Sequence, residues 1–371
     1  MRKTLFPAVV VAVTASGCAE LFTEAANPRD SFAAPLPGLP RELLETFLEG
    51  DANFGIVFTE ETGLGPIFVR PSCSHCHIAD GRGTTDEIVT RFSVGTDLLL
   101  SFGGDQLQPH SIPGVPAESV PAGADVSRRL PPPVFGVGLL EAIPDTAIVA
   151  NEDPDDLDLD GISGRAAWRV PADYVPPGEV GGGEGLSLGR FGWKANFTSL
   201  VETVGHAYHQ DMGLSSDFVP FEEPNPQAGG VALGDFVADP ELTMSHVLRT
   251  VTYVRLLAPP RRGDTNVVVD QGEALFSSIG CASCHVPSLT TGANAIEALS
   301  NVEVELYSDL LLHDMGPGLA DGRADGPASG SEWRTRPLWG LRLVRDFLDG
   351  DAFYLHDGRA STLSAAILAH G

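Results

Sequence analysis

The pentapeptides Cys73-Ser74-His75-Cys76-His77 and Cys281-Ala282-Ser283-Cys284-His285 decide how this sequence is interpreted. Both read C-x-x-C-H, the attachment signature of a c-type haem. In such a site two neighbouring thiols form thioethers to the porphyrin vinyl groups, and the adjacent imidazole ligates the iron. We therefore predict two covalently bound haem c groups. Their attachment residues are Cys73, Cys76, Cys281 and Cys284, and their proximal iron ligands are His77 and His285.

A structural zinc ion held by all four thiolates is the main competing interpretation. Cys76 and Cys281 lie roughly 200 positions apart, far beyond the spacing of zinc ribbons. A zinc site would also leave the histidine after each pair unexplained. A thioredoxin-like redox pair needs only one such motif. Both alternatives therefore explain the pattern less well than haem does.

The sequence around the two motifs repeats, since Phe68 and Phe276 each stand five residues before the first cysteine. Apolar residues recur at helical spacing from Pro240 to Leu257, which predicts a helix capped by Asp239. We expect a mainly α fold with two cytochrome c-like haem domains and a loop-rich intervening region. The predicted units are an N-terminal haem domain with a large loop-rich insertion (46–262) and a C-terminal haem domain (263–371), expected to be incomplete at its C-terminus.

The N-terminus has the order of an export signal. Two basic residues precede the apolar run Leu5–Val13, and small residues then end at Cys18. This order predicts a lipoprotein-type signal peptide (1–17), lipidation of Cys18 and a tether (18–45). An ordinary signal peptide is the alternative. The protein is thus expected in the periplasm or cell envelope, anchored to a bacterial membrane through lipid. The run itself is far shorter than the roughly 20 residues of a spanning helix.

Composition limits the partners of this chain. It has 371 residues, of which 43% are hydrophobic, and a formal net charge of −27 from 23 basic and 50 acidic residues. This length and hydrophobic content suffice for proper cores. A general nucleic-acid binder is excluded, because its affinity would depend on basic residues that neutralise phosphates. An acidic surface could attract a cationic protein or could simply keep the chain soluble.

Three further strings carry a family resemblance: residues 189–195 (GRFGWKA), 307–316 (YSDLLLHDMG) and 354–359 (YLHDGR). With two haem motifs in the same order, they resemble the bacterial di-haem oxidoreductases of peroxidase or thiol-oxidoreductase type, from about residue 46 to the end. Related proteins are the di-haem cytochrome c peroxidases and the quinone-cofactor maturation enzymes. The resemblance implies an enzyme that reduces hydrogen peroxide. Electrons would come from a small redox protein, a cytochrome c or a cupredoxin, through one haem to the other.

Two other functions stay open from the sequence. One is a non-catalytic electron carrier in which both irons are fully ligated by protein. The other is a di-haem oxidase of an organic or thiol substrate. High-spin haem in the purified protein would favour an enzyme, because an iron with two strong protein ligands mainly passes electrons.

The resemblance also suggests distal ligands. In the related peroxidases a sixth ligand to the C-terminal haem follows the string that contains His356 here, and His370 occupies that place. Met315 and His313 are the alternatives. For the first haem, Met212 is the candidate we name, with His206, His209 and His110 as other possibilities.

Two residues are candidates for catalytic roles. Peroxide cleavage needs an acid–base group, and Glu141 stands in the apolar string 138–143, where an ionisable side chain is costly unless it is used or paired. A structural salt bridge is the alternative. By resemblance to the related peroxidases, Trp193 could relay electrons between the haems, and core packing is the alternative for this side chain.

An acidic loop offers a calcium site. Asp156, Asp158 and Asp160 alternate before Gly161, as in the first half of a calcium-binding loop. The glutamate expected at loop position 12 is missing, because Ala167 stands there. A solvated acidic turn is the alternative.

Overall fold

A computed structural model of the chain describes residues 31–79, 81–103, 106–179, 185–222, 225–228, 234–348 and 350–370. The predicted signal peptide, Cys18 and the first part of the predicted tether lie outside the described residues. From residue 31 onward the tether is packed: Phe32 is 1% exposed, and its ring stacks on Phe135 with centroids 4.7 Å apart. An aromatic contact therefore holds the described part of the predicted tether to the core, and the bounds of the tether remain a prediction.

The described residues contain ten α-helices, most of them short. They are α1 Arg41–Phe54, α2 Cys73–Cys76, α3 Val137–Ala142, α4 Asp145–Val149, α5 Leu200–His206, α6 Met244–Leu256, α7 Val267–Ser278, α8 Gly316–Leu319, α9 Val344–Phe347 and α10 Leu363–Leu368. A π-helical turn, Ala207–Asp211, continues α5. Among the described residues, none of these helices combines the length and the hydropathy needed to cross a bilayer.

Eleven strands in the described residues form five small antiparallel sheets. They are β1 Ile67–Phe68, β2 Val89–Ser93, β3 His110–Ser111, β4 Asp125–Arg129, β5 Gly164–Arg165, β6 Trp168–Arg169, β7 Ser187–Leu188, β8 Leu289–Thr290, β9 Glu303–Val304, β10 Leu312–Asp314 and β11 Glu332–Arg334. Four sheets pair two strands each: β1 with β3, β2 with β4, β6 with β7 and β8 with β9. The fifth has the order β11-β10-β5 and so joins residues 164–165 to residues 312–334.

The predicted mainly α fold of two cytochrome c-like domains is wrong. The described residues are 32% helix and 15% strand, with several small sheets. The cause lies in the composition, because 42 glycines and 29 prolines interrupt helices and favour turns. At the motifs themselves the helix is a single turn, α2 in the first and a 3₁₀ turn at Cys281–Ser283 in the second.

Helices α1 and α6 form the main helix pair of the core. The predicted helix at 240–257 exists but begins at Met244, because the Thr243 side chain, and not Asp239, caps it by accepting the His246 N–H. Tyr253 of α6 packs between Phe47 and Phe54 of α1, with ring centroids 4.9 and 5.3 Å away. The pair therefore fixes the position of the segments that flank it.

Gly50 lets the two helices approach closely. A Cβ at Gly50 would lie 2.7 Å from the Tyr253 Cβ and closer still to the Arg249 carbonyl oxygen. Gly50→Ala should therefore separate the helices and lower the free energy of unfolding by about 1–3 kcal/mol in urea denaturation. Gly272→Ala in α7 is the matched control, because a Cβ there meets nothing within 4 Å. This control should gain up to about 1 kcal/mol from helix propensity, and equal effects at both positions would contradict the prediction.

Candidate functional site

The first C-x-x-C-H motif is arranged by one helical turn. The Ser72 side chain caps α2 by accepting the His75 N–H at 3.3 Å. Cys73 and Cys76 are three residues apart on that turn and so lie on the same face. The His77 N–H donates to the Cys73 carbonyl at 2.9 Å, which places the imidazole directly after the thiols. The local sequence thus presents two sulfurs and one imidazole together.

These three side chains line a large, mainly apolar cavity. Its empty space is about 1500 Å³, counting the part that opens to solvent. The apolar side chains in its wall include Leu140, Phe191, Leu200, Met212 and Val254. The cavity therefore has the lining expected for a large, flat, mostly apolar group.

Burial sets the protonation of the first motif. It lowers the pKa of His77 to about 4, against a hydrogen bond to the Pro132 carbonyl that acts in the opposite direction. The imidazole is therefore neutral at pH 7, the form that ligates a metal. Burial and then the charge of Asp211 raise the pKa of Cys73 to about 12 and that of Cys76 further. Both side chains are therefore neutral thiols at pH 7 when no group is bound to them.

Met212 lies in the wall of the same cavity as His77. It is 2% exposed and follows the π-helical turn after α5. Two backbone hydrogen bonds tie this turn to the segment before the first motif: the Gly65 N–H donates to the Met212 carbonyl at 3.1 Å, and the Val69 N–H donates to the Asp211 carbonyl at 2.7 Å. The structure therefore brings the predicted proximal and distal residues of the first haem to one cavity. His206 also lines it.

The second motif has a less enclosed setting. Asn266 caps α7, and no residue of this helix is buried. The His285 Nδ1 lies 2.8 Å from the Tyr307 carbonyl oxygen, to which it donates. That hydrogen bond leaves Nε2 available for a metal and fixes the orientation of the ring. Cys284 Sγ lies 3.4 Å from His313 Nδ1.

The predicted distal ligand His370 lies near His285. The charge of His370 contributes to the lowered pKa of His285, after burial as the main cause. The alternatives are engaged elsewhere: His313 Nε2 is 2.7 Å from Asp309 Oδ2, and Met315 packs against the cluster of Leu130, Trp193 and Trp333. Ligation by His370 remains a prediction that this placement supports.

Apolar side chains near the second motif are exposed. Val268 and Leu275 of α7 are 76% and 56% exposed, and Leu368 of α10 is 80% exposed. Exposed apolar side chains that form a contiguous patch often mark a binding site. A bound haem would cover apolar surface of this kind.

One side of the first cavity is cationic. Arg334 and Arg336 line it, and the Arg336 guanidinium lies 4.7 Å from the centre of the Trp193 ring. Burial, and then the charges of Arg334 and Arg82, hold the pKa of Arg336 well below its usual range. Buried like charges are costly unless an anion joins them, and porphyrin propionates are such anions. The cavity residues thus fit a haem in thiols, imidazole, apolar wall and counter-charge.

A comparison with protein families agrees with the haem chemistry that this site indicates. The profile of the family described as "Di-haem oxidoreductase, putative peroxidase" matches residues 10–96 and 119–371. The chain belongs to this family. The predicted family resemblance is therefore confirmed, and with it the general class of haem oxidoreductase. No curated protein matches the chain.

One solved structure shares a distant similarity with this di-haem oxidoreductase. It is the hydrazine synthase of Kuenenia stuttgartiensis, pressurised with 20 bar xenon, at 15% sequence identity. The match covers 97% of this chain and 89% of that chain, with a TM-score of 0.36. A similarity this low supports no argument about fold or chemistry.

Asp211 is a cavity residue that the sequence interpretation missed. It lines the cavity of this di-haem oxidoreductase, and Gln106 Nε2 donates to its Oδ1 at 2.6 Å. Burial raises the pKa of Asp211 to about 6, although the Gln106 hydrogen bond and the Arg91 charge act to lower it. The only signal in the sequence was its position directly before Met212.

Glu141 has the structural role that the sequence left open as its alternative. Its Oε2 lies 2.6 Å from Arg255 Nε, and its Oε1 accepts the Leu200 N–H at 2.8 Å. Its neighbour Leu140 lines the cavity, whereas the Glu141 carboxylate is held between α5 and α6. A salt bridge thus occupies this carboxylate, Glu141 is not among the described residues that line the cavity, and its acid–base role remains a prediction.

Trp193 lies in the cavity wall, as a relay would require. Its Nε1 donates to the Leu130 carbonyl at 2.7 Å, and its ring centre is 6.4 Å from that of His356. His356 in turn stacks on Trp333 with centroids 3.8 Å apart. Strings 189–195 and 354–359 thus meet here, and Met315 of the third string packs against Trp193 and Trp333. The relay role of Trp193 remains a prediction.

The predicted calcium loop is only partly assembled as expected. Asp156 and Asp158 meet Asp153, whereas Asp160 Oδ1 accepts the Ile162 N–H at 2.8 Å. A backbone N–H group also donates to the Asp153 carboxylate, because both Asp153 oxygens accept the Leu157 N–H at 2.9 Å. The loop therefore satisfies much of its own charge, and calcium there remains a prediction.

Proposed function

We propose that this chain is an exported peroxidase that carries haem c at both motifs and reduces hydrogen peroxide in the first cavity. One observation carries the proposal: His77 and the carboxyl group of Asp211 line the same cavity. A bound haem would supply the iron that accepts peroxide and the electrons that reduce it. The signal peptide would send the chain to the periplasm, and lipid on Cys18 would hold it at a membrane.

The chain itself provides proton handling and exclusion of water. Reduction of one peroxide to two waters consumes two electrons and two protons. Asp211 can hold a proton on its carboxyl group, and Gln106 fixes that group through Oδ1. The apolar wall keeps bulk water from the reacting oxygens, which strengthens each polar interaction inside the cavity. Neutral His77 would hold the iron through its imidazole.

Electrons would enter through the second haem and reach the first by way of Trp193. This tryptophan lines the first cavity and lies beside His356. A small basic redox protein, a cytochrome c or a cupredoxin, is the proposed donor. The net charge of −27 would speed its encounter by electrostatic attraction.

Asp211→Asn should lower the rate of peroxide reduction by about 10²-fold or more, because asparagine cannot exchange the proton. The measurement is steady-state oxidation of reduced cytochrome c by hydrogen peroxide, at equal haem content. Glu141→Gln is the matched control and should keep turnover within about threefold, since its carboxylate serves a salt bridge. Full activity in the Asp211 variant, or selective loss in the control, would contradict the assignment.

One observation favours a second candidate function, a non-catalytic electron carrier. Met212 lies in the same cavity as His77 and could complete a fully ligated first iron. Electron paramagnetic resonance of the oxidised and half-reduced protein separates the two functions. A high-spin signal in either state supports the peroxidase. Two low-spin haems in every state, without peroxide turnover, support the carrier.

A further inference from the structure

Three carboxylates meet where the segment after Met212 lies beside the start of α6. They belong to Glu222, Asp239 and Glu241, and one oxygen of each lies within 4.8 Å of the others. Glu222 is 4% exposed, Glu241 is half-buried and Asp239 is exposed. The group is separate from both haem motifs and from the predicted calcium loop.

Two oxygens of this cluster have no hydrogen-bond partner among the described residues. They are Oε2 of Glu222 and Oε1 of Glu241, and both are shielded from solvent. The charges acting most strongly on Glu222 are those of Asp239, Asp235 and Glu241, all of them acidic. Buried carboxylates in contact with one another are costly unless a cation is bound among them.

Ser215 offers too few hydrogen-bond donors to compensate the negative charge of the three carboxylates. Its hydroxyl oxygen lies 2.7 Å from Asp239 Oδ1 and 2.5 Å from Glu241 Oε2, but it carries a single hydrogen. The Ser215 N–H also donates to Glu241 Oε2, at 2.8 Å. Both donors therefore serve the same edge of the cluster, and the buried Glu222 oxygen receives neither.

We propose that Glu222, Asp239 and Glu241 bind a calcium ion. The donors are all oxygen, as hard divalent cations require. Ligands of one ion can be no farther apart than twice the metal–oxygen distance. Ca²⁺ takes six to eight oxygens at about 2.3–2.6 Å in flexible geometry, so three carboxylate oxygens within 4.8 Å of one another can reach one ion. Exposed Asp239 leaves room for water ligands and a route of entry.

A bound calcium ion would stabilise the segment that follows Met212. Ser215 lies three residues after Met212, and the Leu242 N–H donates to the Ser215 carbonyl at 3.2 Å. Calcium would add a second, stronger link between this segment and the residues that lead into α6. The site thus stabilises the backbone on which Met212 and Asp211 are placed.

The test is calorimetric titration of the purified holoprotein with CaCl₂ after removal of metal by EGTA. Glu222→Gln should weaken calcium binding at this site at least tenfold. Asp156→Asn, in the other acidic loop, is the matched control and should leave this binding unchanged. Binding lost in the control but kept in the Glu222 variant overturns the proposal, as does absence of binding in the unaltered protein up to millimolar calcium.

Thermal unfolding gives a second, independent readout. Calcium should raise the unfolding midpoint of the unaltered protein by about 3 °C or more, but not that of the Glu222→Gln variant. In EGTA the order should reverse, because the neutral amide removes repulsion from the empty cluster. If the variant is the less stable of the two in EGTA as well, the glutamate is a structural group and the proposal fails.

Discussion

Replacement of both Cys73 and Cys76 by serine is expected to yield a protein with one covalently bound haem instead of two. Thioether attachment requires these sulfurs, and hydroxyl groups cannot replace them. The measurement is the intact mass of the denatured chain, produced in a host that attaches haem c, with absorbance of the pyridine complex to count haems. Ser74→Ala is the matched control, because it changes the same turn and keeps both thiols.

The reciprocal variant completes this experiment. Replacement of Cys281 and Cys284 by serine should also leave one haem, attached at the first motif. The surroundings of the remaining haem should differ between the two variants, since the first motif lines a large cavity and the second lies beside the exposed helix α7. A chain that retains two haems in either variant, or that carries zinc and no haem when unaltered, would overturn the proposal of covalent haem.

Asp325→Asn is expected to lower the free energy of unfolding by about 3–5 kcal/mol at pH 7. Asp325 is 3% exposed, and its Oδ2 lies 2.7 Å from Arg129 Nη1 and 2.9 Å from Arg323 Nη1. Both arginines are buried, so the neutral amide leaves their charges poorly compensated. Urea denaturation measures the effect. Glu45→Gln breaks an exposed pair with Arg41 and should cost no more than about 0.5 kcal/mol.

The pH dependence of this effect has a definite sign. The charges of Arg91, Arg129 and Arg323 hold the pKa of Asp325 far below its usual range, against the effect of burial. A carboxyl whose folded pKa is depressed stabilises the protein above its unfolded pKa, about 3.9. The difference between the Asp325→Asn variant and the unaltered protein should therefore be full at pH 7 and shrink as the pH falls below about 4. A difference that grows on acidification would contradict this assignment.

The candidate site was predictable from the sequence where its chemistry is local. Each C-x-x-C-H motif places its donors within five residues, so the identities of the attachment groups follow from the pattern alone. Met212 was a candidate from its own string near His206 and His209, but only the structure shows that it lies in the cavity of His77, because no local rule links positions so far apart. Asp211 was missed for the same reason: nothing near it in sequence shows that its carboxyl group faces a cavity.

The features that the sequence did not predict have physical causes. Glu141 stood in an apolar string, which indicated a costly charge, but its partner Arg255 comes from a different helix. The mainly α prediction failed because haem motifs were taken to imply the helices of small cytochromes, whereas glycine and proline turn much of this chain into loops and short strands. The helix near 240–257 was found, with its start displaced, because amphipathic spacing is a strong signal and capping residues are interchangeable.

The wall of the first cavity joins distant parts of the chain. It contains Arg334, Arg336 and Trp339 together with His77, so it draws on both sides of the boundary predicted after residue 262. A ribosome makes the first cysteine pair long before it makes those three residues. Any cellular machinery that adds porphyrin to the nascent first motif therefore meets an unfinished binding site. Fragments that stop at residue 262 should therefore bind haem at the first motif less well than the whole protein does when haem is added in a reconstitution experiment.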